Sequence, residues 1–234
     1  MFKPALIFSF LLATGIANAS DPFTDAMQKA YAPYRAALFK TNQASQPDAQ
    51  QAIAQARTTW ASILKQFMVK APPPYDRDTQ FADSLAEVSK VYDKAAAEID
   101  QGQLIEAHET LEEARDVMAQ LRARNNVIVF SDHMNAYHAQ MEHVLIEGPK
   151  ILDGANGFLE LTAQTGALEM LANKLASEAS ADFRGNEEFK ASYAALQKSV
   201  TDLKAALFSQ DKAKVKEALG KIKAPYSKMF IKFG

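Results

Sequence analysis

The chain of 234 residues contains no cysteine. Disulfides, thiolate metal ligands, a cysteine nucleophile and covalent haem attachment through a C-x-x-C-H motif are therefore excluded. Glycine is scarce, at nine residues, and forms no phosphate-cradling loop. Neither a G-x-S-x-G nor an H-E-x-x-H pattern occurs, so no motif points to catalysis. Charge of one sign is also lacking. Lys and Arg number 26 against 28 Asp and Glu, a net charge of −2, which argues against a nucleic-acid partner. No apolar run after the first residues is long enough to cross a bilayer, so the mature chain is not expected to span a membrane. Sustained alternation of apolar and polar residues at period two is missing, so no sheet is expected.

What is present begins with a leader. Lys3 supplies a positive start, Pro4 to Ile16 is a short apolar run, and Ala17-Asn18-Ala19 is a small-residue cleavage site. Residues 1–19 read as a signal peptide, with a mature chain from Ser20 delivered to the periplasm. The remainder is rich in alanine, glutamine, lysine and glutamate, which favour helix.

The helical pattern occurs twice. Phe81, Leu85, Val88, Tyr92, Ala95 and Ile99 recur at 4-3-4-3-4 spacing, and Phe189, Tyr193, Leu196, Val200, Leu203 and Leu207 repeat that spacing. Such a stripe is the buried seam of a bundle helix. Leu111, Ala114 and Met118 fall against Leu219, Ile222 and Tyr226 in the same frame. Phe23-Thr24-Asp25-Ala26-Met27 resembles Phe130-Ser131-Asp132-His133-Met134, with Thr24 and Ser131 as expected N-caps. These spacings predict helices over 23–42, 47–69, 79–100 and 103–124, then 131–146, 157–180, 186–208 and 211–231. Pro72-Pro73-Pro74 separates helices two and three, and Pro149, Gly154 and Gly157 end the fifth. The expected fold is all-α, two tandem up-down-up-down four-helix bundles, residues 20–126 and 127–234. Val127 to Phe130 is the link. The acidic stretch Glu98–Asp116 and the lysine-rich last helix read as solvated faces that attract each other, or else as a docking surface for a charged partner.

Each half resembles the soluble periplasmic cytochrome b-562 family. Asp25-Ala26-Met27 is similar to that family's acidic stretch ending in the axial methionine, Ala71-Pro72-Pro73-Pro74 sits at its helix-two to helix-three loop, and Gly102 to Ala107 and Val215-Lys216-Glu217-Ala218 look like the start of its fourth helix. The resemblance implies a four-helix bundle with non-covalent haem held by a methionine and a histidine. The sequence departs from it at the histidine, whose place falls at about Arg122 in one half and Phe233 in the other. Asn135-Ala136-Tyr137-His138 looks like the family's histidine motif but lies on the first helix of the second half. The match therefore bears on architecture more than on haem.

The histidines are His108, His133, His138 and His143. The last three are five residues apart, so successive imidazoles point about 140° apart and the outer pair stand about 15 Å apart along the axis. One ion cannot take all three. Met134, His138, Met141 and Glu142 share adjoining parts of one face. Thioether with imidazole suits Cu(I), and imidazole with carboxylate suits Zn(II) or Cu(II). If the last helix returns to the start of the fifth, Met229 joins His133 and Met134. Met134, Tyr137, Met141 and Val144 also form a seam of their own, which reads as core, as does Trp60 beside Ile63 and Phe67. The leading expectation is a non-enzymatic periplasmic binding protein that carries or senses a metal ion, copper before others, through His133, Met134, His138, Met141, Glu142 and Met229. The rivals are an interaction module that docks an envelope or membrane-protein partner with no bound metal, and a haem-binding electron-transfer protein of cytochrome b-562 type.

Overall fold

A computed structural model describes residues 21–234. The expected signal peptide and its cleavage site lie outside the described residues. Among these, every regular element is helical and no helix is long and apolar enough to cross a membrane. The order is α1 (Pro22–Asn42), α2 (Gln46–Phe67), a 3-10 turn (Tyr75–Arg77), α3 (Phe81–Asp100), α4 (Leu104–Arg124), α5 (Phe130–Asp153), α6 (Gly157–Glu178), α7 (Ala181–Gly185), α8 (Glu187–Phe208), α9 (Lys212–Leu219) and α10 (Lys223–Phe233).

The helix ends follow local chemistry. At α1 the cap is Asp21, not Thr24: its carboxylate accepts from the Phe23 and Thr24 amides at 3.0 and 2.8 Å, and Pro22 fills the first turn, where no amide partner is needed. Ser131 is likewise not a cap. The residue ahead of α5 is Val129, and the Asp132 carboxylate reaches back to its amide at 3.0 Å. A carboxylate serves both starts because it accepts more strongly than a hydroxyl and meets the positive end of the helix dipole. Gly102, at φ +76°, makes the left-handed turn between α3 and α4.

Two boundaries differ from expectation. Pro149 does not end α5, which continues to Asp153. A proline removes one amide donor, but the turn beyond it carries Leu152 into a buried position, and that burial holds the helix together. The last helix, expected as one rod over 211–231, is two: α9 stops at Leu219 and α10 starts at Lys223.

Buried apolar side chains fall into two clusters. One is drawn from residues 23–121, with α1 packed on α2, α2 on α3, α3 on α4, and α4 back on α1. The other is drawn from residues 134–229, with α5 on α6, α6 on α8, and α8 on both α9 and α10. The link 125–129 lies between them. The predicted seams are buried: Phe81 to Ile99 throughout, and Phe189 to Leu207 except for the half-buried Tyr193. Trp60 is core, and its indole N–H donates to the Leu85 carbonyl at 3.0 Å. The two clusters meet through α10, which packs on α1 and α5 and sends Phe230 against both.

Candidate ligand site at the junction of the two helix sets

The residues predicted to bind metal separate into different environments. Met134, Met141 and Met229 are fully buried members of the second core. His133 sits near the start of α5 with Nε2 3.9 Å from the Glu178 carboxylate; burial, and then Lys174, lower its pKa. His138 faces another way. Arg115 Nη1 donates to its Nδ1 at 3.0 Å, the ring stacks on Tyr226 with centroids 5.1 Å apart, and Nε2 lies 3.5 Å from Glu142. An arginine can only donate, so Nδ1 is the acceptor and the ring proton sits on Nε2, toward Glu142. Burial lowers the pKa of His138, and the nearby Arg115 and Lys223 cations add to that against Glu112 and Glu142. Glu142 is itself engaged by Lys223 at 3.1 Å. His108 is turned to the Leu38 carbonyl and the Thr41 hydroxyl, and His143 is exposed. Among the described residues, no group of three or more His, Asp or Glu side chains converges to hold an ion. What the His138 cluster does is join α4, α5 and α10.

The lysines of the last helices pair mainly with acids of their own half: Lys212 with Asp153, Lys214 with Asp211, Lys221 with Glu217 and Lys223 with Glu142. The acidic stretch pairs instead within the first half, Glu98 of α3 and Glu113 of α4 with Lys94, and Glu112 with Arg115.

A second arginine ties the halves together. Arg122 is 2% exposed. Its Nε lies 3.1 and 3.0 Å from the two Asp132 oxygens, and Nη2 also meets that carboxylate. Burial alone would lower the pKa of this guanidinium, but the bonds to Asp132 outweigh it and hold the charge. The same guanidinium lies 5.9 Å from the centre of the Tyr31 ring.

Above this pair opens a cleft of about 470 Å³. One wall is a stripe of α1, Thr24, Gln28, Tyr31 and Arg35, which the 4-3-4 spacing places on one face. Phe130 and Ser131 of α5, Phe183 of α7 and Phe233 of α10 supply the facing side, with Met27 beside them. Glu178 and Asp182 line the α6–α7 wall. Tyr31 is 3% exposed and Arg35 is half-buried, yet the Tyr31 hydroxyl and Arg35 Nε make no close hydrogen bond to the chain, although Tyr31 also faces the Arg122 guanidinium and helps to hold its charge. No carboxylate among the described residues pairs with Arg35, and burial lowers its pKa, opposed in part by Tyr31. On α5, Asn135, one turn beyond Ser131, also buries both side-chain polar atoms without a partner. Buried polar atoms in folded proteins are nearly always satisfied, so such a group is a departure that calls for a cause.

Sequence reading missed this cleft. The available signal was Arg35 itself, a cation on the same face of α1 as the buried Tyr31 and Thr24. The chain matches no known family model, and no curated protein or solved structure is similar to it.

Proposed function

We propose that this chain is a non-enzymatic, exported binding protein built from two four-helix bundles in tandem, and that its ligand enters the cleft at their junction. The observation that carries this reading is the pairing of a 470 Å³ cleft with two buried polar atoms in its wall, the Tyr31 hydroxyl and Arg35 Nε, neither closely hydrogen-bonded by the chain. The cleft combines aromatic rings with convergent polar groups, a combination usual in small-molecule sites. The two separate buried clusters and the repeated helix spacing support the duplicated architecture, on a plan like that of the b-562 family. The leader-like first residues support a periplasmic location.

Copper carriage through His133 and His138 draws less support, because each imidazole is engaged with different neighbours and the three methionines are core. Haem draws less still. Met27 is buried as the family's methionine would be, but Arg122 is locked onto Asp132 where an axial histidine is needed.

The test is native mass spectrometry of the protein isolated from its own envelope, wild type beside Gln28→Trp. Gln28 is an exposed residue of the cleft wall, so a tryptophan there obstructs the cleft and spares the core. A small-molecule adduct on wild type that is lost in the variant is the expected result. Equal adducts on both, or an adduct on neither together with no saturable binding of any apolar probe, would defeat the reading.

A further inference from the structure

The two arginines at the junction differ in one respect. Arg122 has Asp132; Arg35 has no acid. Arg35 is half-buried with its Nε shut off from water, and an anion delivered to such a guanidinium with a forked pair of hydrogen bonds offsets the cost of burying it without a counter-charge. Tyr31 stands between Arg35 and Arg122 and presents a hydroxyl with no close hydrogen bond from the chain. Around these polar groups the cleft is lined by Met27, Phe130, Phe183 and Phe233. Glu178 and Asp182 stand on another wall, where they oppose a second negative charge, while Lys232, a further cation of the lining, is already paired with Glu188.

We infer that the junction cleft takes a small organic monoanion, a single carboxylate or sulfonate on an apolar body, with the acid group bound by Arg35 and Tyr31 and the body packed among the aromatic rings. This rests on the cleft being the ligand site. Binding is strongest at low salt, because part of it is the attraction between one charge and its counter-charge.

The probes are the monoanion 1-anilinonaphthalene-8-sulfonate and the neutral N-phenyl-1-naphthylamine, titrated by fluorescence at neutral pH. Saturable binding of the anion to a single site is expected, with at least a tenfold loss in Arg35→Gln, a smaller loss in Tyr31→Phe, and loss in Gln28→Trp. Octanoate or 1-naphthoate displaces the probe, the more effective one showing whether the body is aliphatic or aromatic, while the dianion octanedioate competes at least tenfold more weakly. Without probe, Arg35→Gln melts at or above the wild-type temperature, since it removes an unpaired charge; a lower melting temperature would make Arg35 a structural residue and overturn the inference. If both probes bind equally, Arg35→Gln changes nothing and Gln28→Trp abolishes both, the anion is wrong and the cleft reading stands. If neither probe saturates, the cleft reading falls. Arg35→Lys keeps the charge without the fork, so partial retention of anion binding there supports the inference, and binding no better than in Arg35→Gln counts against it.

Discussion

The two helix sets bury the same seams with different side chains. In the first, aromatic rings fill the interior: Phe23 lies 4.7 Å from Tyr75 and 4.8 Å from Phe81, and Tyr92 packs between Tyr34 and Trp60. In the second, leucines and the flexible Met134, Met141 and Met229 make up more of the core, beside the buried rings Tyr137, Phe189 and Tyr226. Phe130, Phe183 and Phe233 gather at the cleft, and Tyr137, His138 and Tyr226 stack at the joint with α4. The fourth helix differs in the same sense. It is continuous in the first set, Leu104–Arg124, and broken between Leu219 and Lys223 in the second, and the break frees α10 to pack on α1. The same seam spacing thus supports one set that closes on itself and one that also places aromatic groups at the boundary.

The largest effect that tests this contrast is in the first core. Trp60→Ala should cost about 3–5 kcal/mol in urea unfolding, since it leaves a ring-sized cavity in the first core. If the sets fold as separate units, calorimetry will show the first transition lowered and the second unmoved; a single shifted transition would mean that the junction couples them. Next is the coupling itself. Asp132→Ala leaves Arg122 buried and unpaired and should cost on the order of 3 kcal/mol. Asp132→Ala should also separate two thermal transitions that coincide in wild type. Met141→Leu in the second core should cost less than about 1.5 kcal/mol, because a methionine site adapts to a side chain of similar volume. A cost near that of Trp60→Ala would erase the contrast between the cores.

The joint has a pH dependence with a fixed sign. The folded state lowers the pKa of His138, through burial first and then Arg115, so the native protein favours the neutral ring. The unfolded chain therefore binds the proton more readily, and stability is lost as pH falls from the ordinary imidazole value of about 6.5 toward the folded one, and is constant above that window. Protonation would place a cation beside Arg115 and Lys223, with only Glu112 and Glu142 to offset it. His138→Gln should flatten this dependence, measured by denaturant unfolding at pH 5 and pH 8; an unchanged slope would assign it elsewhere, for instance to His133. The smallest expected effect is on copper. Cu(II) should bind His138→Ala and wild type alike, by calorimetric titration, and a tenfold loss in the variant would restore the metal reading.

Much of the fold was legible in the chain. The seams of α3 and α8, the core placement of Met134, Tyr137, Met141 and Val144, and most helix bounds follow from spacing alone. The misplacements were local contests. Asp21 and Asp132 took the roles expected of Thr24 and Ser131 because a nearby carboxylate is the better acceptor. Pro149 stayed inside α5 because Leu152 beyond it is buried. The candidate site was legible only as a list of chemically able residues. His138 and Glu142 do lie together on one face, but the partners that engage them, Arg115 and Lys223, come from other helices.

Sequence by itself determined that the chain is helical, which faces of its helices are apolar and that the pattern occurs twice, because these depend on periodicity within about twenty residues of backbone. Only the tertiary structure decided which charges have partners. Arg122 found Asp132 across the link and Arg115 found His138 across the two sets, while Arg35 was left half-buried with no acid beside it. Desolvation and pairing arise from groups brought together by packing, so two arginines that look alike in the chain have opposite surroundings in the fold.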